Sequence, residues 1–312
     1  GAGSTSRADR AGRQASMTTV AVLGIGRMGG AMAGRLAASG FDVVVYNRSP
    51  EPARALAASI GGRVASSPAE AVAGSAVAIS MVSDGAAVEA VYRGPDGALA
   101  GLDGRTVAVD MSTVLPATIQ GLEAEIRATG AGVLDAPVSG SVTFAGSGGL
   151  TIMVGGTAAD LERARPVLEA LGSRVIHLGA LGAGATVKLA VNTMIYGLNE
   201  SLAEALVLAE KAGVDRAQAY DVFRTSAAGA PFVDYKRAAF MEPETTATAF
   251  ALALAEKDLG LILELAQTVG AEMPQARTNL DLVRRAAAAD PGRDIASVAT
   301  YLRAANSGGG SG

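Results

Sequence analysis

The sequence predicts an α/β protein in two parts: an N-terminal, largely parallel sheet domain, then an all-α domain, joined by a long interdomain helix. Three observations predict it. From Thr19 to about Gly179 short apolar runs alternate with helical patterns, the signature of a sheet with helices on both faces. After Gly184 strand signals vanish, and Ala/Leu/Glu-rich helical patterns continue to about Asn306. Between these regions, "GALGAGATVKLAVNTMIYGLNESLAEALVLAEKAG" reads as one long, largely apolar helix. No repeat at a fixed period is visible.

In order, the expected strands are "TVAVL", "DVVVY", "VAISMV", "TVAVDM", "GVLDAPV", "LTIMVGG" and "RVIHLG". Helical stretches are expected over Met28–Ser39, Pro52–Ser59, Pro68–Ala73 and Ala86–Tyr92. The long helix is expected over Thr186–Ala212, roughly 40 Å at 1.5 Å per residue. Gly213 supplies its stop, and Asp215 caps the next helix. A helix of that length starting where the sheet ends is expected to bridge the domains, with its first turns near the cleft, where ligands commonly bind. The sheet domain is read as 17–180 and a helical substrate and oligomerisation domain as 181–306. Residues 1–16 are read as disordered or tag-like, without the apolar core of a secretory signal, and 307–312 as a flexible tail.

Composition narrows the function. At 312 residues the chain can hold two cores, and a formal net charge of −4 gives no electrostatic case for nucleic acid or an anionic membrane. The absence of cysteine removes disulfides, thiolate nucleophiles and Cys-based metal sites. One histidine, His177, rules out a multi-His site, so no metal is expected; its place in "SRVIHLG" suits a strand end better than a catalytic base. No apolar run reaches the roughly 18 to 20 residues of a membrane span, and a cytoplasmic location is expected.

"TVAVLGIGRMGGAMAGRL" places Gly24-x-Gly26-x-x-Gly29 directly after a strand and leads into a helix. Gly24 permits the tight turn, Gly26 lets a pyrophosphate approach the backbone, and Gly29 allows close helix–strand packing. The N–H groups of Ile25, Arg27 and Met28 lie in the same turn, so Gly24 through Gly29 are expected to hold a dinucleotide at a helix N-terminus. In a chain with 40 glycines the spacing alone is weak; the strand–turn–helix setting makes it a Rossmann-type site. The second strand ends "VVVYNRSP", with Asn47 where a carboxylate would bond an unphosphorylated ribose, followed by Arg48 and Ser49. A guanidinium beside a hydroxyl suits a 2′-phosphate, so NADP(H) is expected rather than NAD(H).

Lys188 and Asn192 are four residues apart, on one face of the long helix, where apolar packing is the default. On a helical wheel Asn199 falls on the same side, extending a polar stripe. An ammonium and a carboxamide side by side supply a proton donor and a neutral orienting group, which with a bound nicotinamide dinucleotide suggests a dehydrogenase. The alternative is a lysine stem reaching toward water and an asparagine capping a neighbouring loop.

At these residues the chain resembles the β-hydroxyacid dehydrogenase family, in the manner of the 3-hydroxyisobutyrate dehydrogenases and the glyoxylate/succinic semialdehyde reductase branch. The resemblance runs from about Thr19 to Gln275 through "GIGRMGGAMAGRL", "DMSTVLP", "DAPVSGSVTFAGSGGLTIMVGG", "GAGATVKLAVN" and "EKDLGLI". It implies Lys188 as the catalytic residue and Asn192 as its substrate-orienting partner. It implies Ser112, Ser139, Gly140 and Ser141 at the substrate, and Met81, Val82, Thr113 and Lys257 at the cofactor, with Asp258 holding Lys257 or a helix end. The implied substrate is a small carboxylate-bearing aldehyde or its hydroxy acid, and the implied assembly a homodimer or homotetramer. Many relatives carry glycine at the position of Ser141, and Thr143 and Phe144 occupy a loop often built from smaller residues. An imine reductase shares the architecture but generally lacks the lysine, and so does a non-catalytic scaffold; Lys188 favours carbonyl chemistry.

Overall fold

The computed structural model describes residues 18–306; the tag-like and flexible-tail readings of 1–16 and 307–312 lie outside the described residues. Contacts divide the chain into two compact units. The first takes the chain through Ser112 and again over Pro116–Ala185; the second takes Thr113–Leu115 and the chain from Thr186 onward.

In the first unit nine strands form one sheet: β1 (Thr19–Leu23), β2 (Asp42–Tyr46), β3 (Arg63–Val64), β4 (Val77–Ser80), β5 (Val107–Asp110), β6 (Gly132–Asp135), β7 (Val138–Ser139), β8 (Leu150–Gly156) and β9 (Gly172–Gly179). The order is β3-β2-β1-β4-β5-β6-β8-β7, with β9 also pairing β8. Strands β1 to β6 run parallel, whereas β8 is antiparallel to β6 and β7. Val20, Ala21, Val22 and Leu23 of β1 are all fully buried, as expected of a central strand covered on both faces.

Eight helices accompany these strands: α1 (Arg27–Ala38), α2 (Pro50–Ile60), α3 (Pro68–Val72), α4 (Gly85–Tyr92), α5 (Pro116–Gln120), α6 (Glu123–Ala128), α7 (Val142–Ser147) and α8 (Ala158–Leu171). Met32, Ala33 and Leu36 of α1 join Val22, Val45, Ile79 and Val109 of the sheet in its core. The chain leaves β1 toward β2 on one side and continues through β4 on the other. Such a reversal opens a crevice beyond the carboxyl ends of the two central strands.

The all-α part begins with α9 (Ala183–Lys211), whose 29 residues span about 44 Å. It continues through α10 (Arg216–Thr225), α11 (Pro231–Met241), α12 (Leu252–Val269), α13 (Pro274–Ala287) and α14 (Val298–Ala305). Leu189, Tyr196, Leu206, Tyr220, Phe240, Leu259 and Val283 form its core. One buried ion pair ties the bundle together: Lys236 Nζ lies 2.6 and 2.8 Å from the two oxygens of Asp294, which also accept the N–H groups of Ala249, Phe250 and Ala296.

The differences from the sequence reading have local causes. "GVLDAPV" is two strands, because Pro137 has no N–H to continue the ladder. "VAISMV" stops as a strand at Ser80, leaving Met81 and Val82 in the loop beyond it. Helix α8 carries an internal proline, Pro166, and a strongly charged outer face.

Candidate functional site

Gly24 follows β1 with φ +100°, a conformation that favours glycine. A β-carbon at Gly24 would lie 2.4 Å from the Met81 carbonyl oxygen and 2.8 Å from Val82 Cγ1, so the loop after β4 packs directly on the turn. A β-carbon at Gly29 would lie 2.0 Å from the Gly24 carbonyl oxygen. Around Gly26 no atom comes within 4 Å of that position, and Gly26 caps α1 without a side-chain hydrogen bond to the helix amides. Closed packing at the first and third glycines with open space at the second is what a pyrophosphate lying on a helix N-terminus requires.

Asn47 joins this turn to the loop after β2. Its Oδ1 accepts the Ile25 N–H at 3.0 Å, and its Nδ2 donates to the Ser49 carbonyl at 2.8 Å. The amide thus braces the turn from the position where a carboxylate would meet a ribose hydroxyl. Arg48 and Ser49 beside it are exposed.

At the carboxyl ends of β5 and β6 stand two buried carboxyl groups that sequence reasoning missed. Asp110 Oδ1 accepts the hydroxyls of Ser80 at 2.7 Å and Ser112 at 2.8 Å. Burial pushes its pKa up to about 6, and the two hydroxyls hold it below the value burial alone would give. The Ser112 hydroxyl in turn accepts the Val82 N–H at 3.0 Å. The Ser112 hydroxyl, buried and both donating and accepting, thereby braces the loop of Met81 and Val82 against the end of β5. Asp135 accepts the N–H groups of Gly182 and Ala185, both at 2.7 Å, and so caps the first turn of α9. Burial raises its pKa and these amides oppose the rise.

Ser139 pairs with Thr151 of β8, and Gly140 turns the chain with φ +138°. Ser141 begins α7 without bonding its hydroxyl to the helix amides. Phe144 lies over Gly149, where a β-carbon would sit 2.8 Å from its Cδ1, and against Gly140. The ring covers these two glycines on one side and stays half exposed on the other.

In the helical unit, Asn192, Tyr196 and Lys257 meet at Asp258, Lys257 also reaches Thr113, and the Asp258 charge acts on Lys188. This carboxylate is buried; its Oδ2 accepts Asn192 Nδ2 at 2.8 Å and the Tyr196 hydroxyl at 2.7 Å. Its Oδ1 lies 3.1 Å from Lys257 Nζ, which also donates to the Thr113 carbonyl at 2.9 Å. Lys188 is half-buried, and its Nζ has no hydrogen bond or ion pair among the described residues. Burial of the ammonium lowers its pKa to about 8; the Asp258 charge raises it and the Lys257 charge lowers it further.

The expected stripe stops at Asn192. Asn199 is fully buried, and its Nδ2 donates to the Ile295 carbonyl at 3.2 Å, tying α9 to the segment before α14. Seven residues further along a helix are about 10 Å further away, so sharing an angular position does not put Asn199 at the site. No group of three or more His, Cys, Asp or Glu that could hold a metal ion exists among the described residues.

Two family models match the chain, one after the other. Residues 19–179 match the NAD binding domain of 6-phosphogluconate dehydrogenase, and residues 182–302 match the NAD-binding domain of NADP-dependent 3-hydroxyisobutyrate dehydrogenase. The 3-hydroxyisobutyrate dehydrogenase of Pseudomonas aeruginosa is 37% identical over 296 residues, covering 92% of this chain and 99% of the relative. The chain belongs to the β-hydroxyacid dehydrogenase family. As a member of that family it is an oxidoreductase with an NAD(P)-binding domain. Another relative, the 3-sulfolactaldehyde reductase of Escherichia coli, is 34% identical over 89% of this chain and 93% of its own length. Among solved structures, that of Mycobacterium tuberculosis 3-hydroxyisobutyrate dehydrogenase with L-serine superposes with a TM-score of 0.81 at 33% identity, over 92% of this chain and 99% of that one. An imine reductase from Myxococcus stipitatus, at 22% identity and a TM-score of 0.61, shares the fold of this β-hydroxyacid dehydrogenase family member.

Proposed function

We propose that the chain interconverts a small β-hydroxy acid and its semialdehyde or keto acid, using NADP(H), with Lys188 passing the proton. The observation that carries this reading is Lys188 itself: a lysine with a pKa of about 8 and an unengaged amine, one helical turn from an amide anchored on a buried carboxylate. Bound at the glycine turn, the nicotinamide dinucleotide would supply or take the hydride. The turn's open amides and Arg48 would hold its phosphates.

In reduction, protonated Lys188 stabilises the oxygen that becomes negative and gives it a proton; in oxidation, neutral Lys188 accepts the hydroxyl proton. A pKa near 8 makes both forms accessible close to neutrality. Its bonds to Asp258 and to the Tyr196 hydroxyl fix the Asn192 amide in one orientation, leaving Oδ1 for substrate. Ser139, Gly140 and Ser141 offer hydroxyl and backbone N–H groups to a substrate carboxylate. Self-association in solution is supported by Met194 and Leu208, exposed on α9 by 76% and 73%. No helix among the described residues is long and apolar enough to cross a membrane.

The test is a spectrophotometric screen of NADPH oxidation with methylmalonate, tartronate and succinic semialdehydes, glyoxylate and one cyclic imine. Turnover of an acid-bearing carbonyl that Lys188→Ala lowers by about two to four powers of ten, with NADPH still bound, is expected. Near-normal turnover in Lys188→Ala would overturn the proton role, and reduction of the imine alone would overturn the substrate class.

A further inference from the structure

Tyr196 lies on α9 eight residues after Lys188 and is almost fully buried. A buried phenol needs a partner for its hydroxyl, and this one finds Asp258 Oδ2 at 2.7 Å, a short, charge-assisted bond. The same oxygen receives Asn192 Nδ2 at 2.8 Å, while Oδ1 is taken by Lys257. The ring packs against Phe250, with centroids 6.3 Å apart. The backbone N–H of Phe250 is held in turn by Asp294, the partner of Lys236. Tyr196 is therefore locked at both ends, by packing at the ring and by a carboxylate at the hydroxyl.

We infer that Tyr196 is a positioning residue for the proton chemistry at Lys188: its hydroxyl holds Asp258 in place and takes up part of that carboxylate's charge, and so sets how strongly Asp258 stabilises the Lys188 ammonium. This rests on the reading of Lys188 as the proton carrier, and it adds a residue eight positions away that does not itself touch Lys188. The groups acting on this network come from several elements. Lys188 feels Asp258 and Lys257 of α12. Tyr196 feels Asp258 and, from α11, Tyr235. Burial and the Asp258 charge both push the Tyr196 pKa well above the ordinary phenol value, so the hydroxyl keeps its proton and donates throughout the working pH range.

The charge argument gives a direction. An ionised carboxylate relieved of one strong donor acts more strongly on a neighbouring ammonium, whose pKa then rises. In Tyr196→Phe the ring and its contact with Phe250 stay and only the hydroxyl goes. The Lys188 pKa should rise by roughly half a unit to one unit, and the alkaline limb of kcat/KM for carbonyl reduction should move up with it. The KM should rise through Asn192, which loses a fixed partner.

The decisive measurement does not require turnover. Competitive acylation of lysines, read at Lys188 by peptide mass spectrometry across pH 6 to 11, gives its pKa in the wild type and in Tyr196→Phe, with and without NADPH. Tyr235→Phe serves as a control of the same chemistry on a neighbouring helix. An upward shift at Lys188 in Tyr196→Phe, absent in Tyr235→Phe, supports the inference. An unchanged Lys188 pKa in a folded Tyr196→Phe protein overturns it and leaves Tyr196 a packing residue. Should Tyr196→Phe lose its fold, Tyr196→His, which retains a ring donor, must restore folding together with a Lys188 pKa within about 0.3 units of wild type; failure to restore both overturns the inference. A shift at Lys188 in a protein that reduces no acid-bearing carbonyl would instead count against the proposed function.

Discussion

Glu200 should destabilise the helical unit by an amount that grows with pH. It is buried on α9, and neither carboxylate oxygen has a hydrogen-bond partner among the described residues. Burial pushes its pKa from the ordinary 4.5 up to about 8; the amide of Asn199, outside hydrogen-bond geometry, offsets part of this, and Glu204 adds repulsion. Below about pH 4.5 the group is protonated whether the chain is folded or not, and it imposes no penalty. Between about 4.5 and 8 the unfolded chain ionises freely while the folded carboxyl keeps its proton, so stability falls by about 1.4 kcal/mol per pH unit. At pH 7 the accumulated loss is roughly 3 kcal/mol, and above pH 8 it levels off near 5 kcal/mol. Glu200→Gln keeps the shape and abolishes the ionisation, so its advantage over wild type should be near zero at pH 4.5 and approach those values as pH rises. A two-unit chain need not unfold in one step, so hydrogen exchange of α9 peptides, followed by mass spectrometry at pH 5, 6, 7 and 8, is a better readout than a single melting temperature. A Glu200→Gln advantage that is the same at every pH would refute the reasoning, because a pH-independent difference cannot come from ionisation.

Two further outcomes concern the nucleotide site. Arg48→Ala should weaken NADPH binding by about 10- to 100-fold, the worth of charge-assisted bonds to one phosphate, and leave NADH binding nearly unchanged; titration calorimetry with both nucleotides checks this. Gly26→Ala and Gly29→Ala should separate binding from folding. The first adds a methyl into open space and should abolish cofactor binding at a normal melting temperature. The second drives a methyl to 2.0 Å from the Gly24 carbonyl and should lower the melting temperature as well. Equal thermal behaviour of the two variants would contradict the packing described for the turn.

Much of the sheet was legible because its strands are short apolar runs punctuated by glycine, and β1 with its glycine turn is the clearest case. Strand β3 was not, since two exposed residues, Arg63 and Val64, carry no periodic signal. Nor was α8, in which Pro166 reads as a helix breaker although the helix runs through it. At the candidate site, Lys188 and Asn192 stood out because polar groups on an apolar helix face are costly unless used. Tyr196 did not, because an aromatic residue on that face looks like core, and its partner Asp258 is 62 positions away in sequence. Asn199 misled for a related reason: a helical wheel reports direction around the axis and nothing about which neighbour waits there. Asp110 and Asp135 were hidden at strand ends, where only the fold shows that their oxygens meet Ser112 and the first amides of α9.

The assignment of Thr113–Leu115 to the helical unit, in the middle of the sheet unit's own sequence, bears on how such proteins can be recombined. Leu115 packs against the helical core and Thr113 accepts the Lys257 ammonium, so these three residues behave as a plug inherited separately from the bundle they serve. A chimera crossed over once, between Ala185 and Thr186, would join one parent's plug to another parent's Lys257 and bundle. A faithful exchange of the helical unit needs two additional crossovers, on either side of "TVL", and shuffled libraries that omit them should be enriched in failures whose cause lies more than 70 residues before the junction.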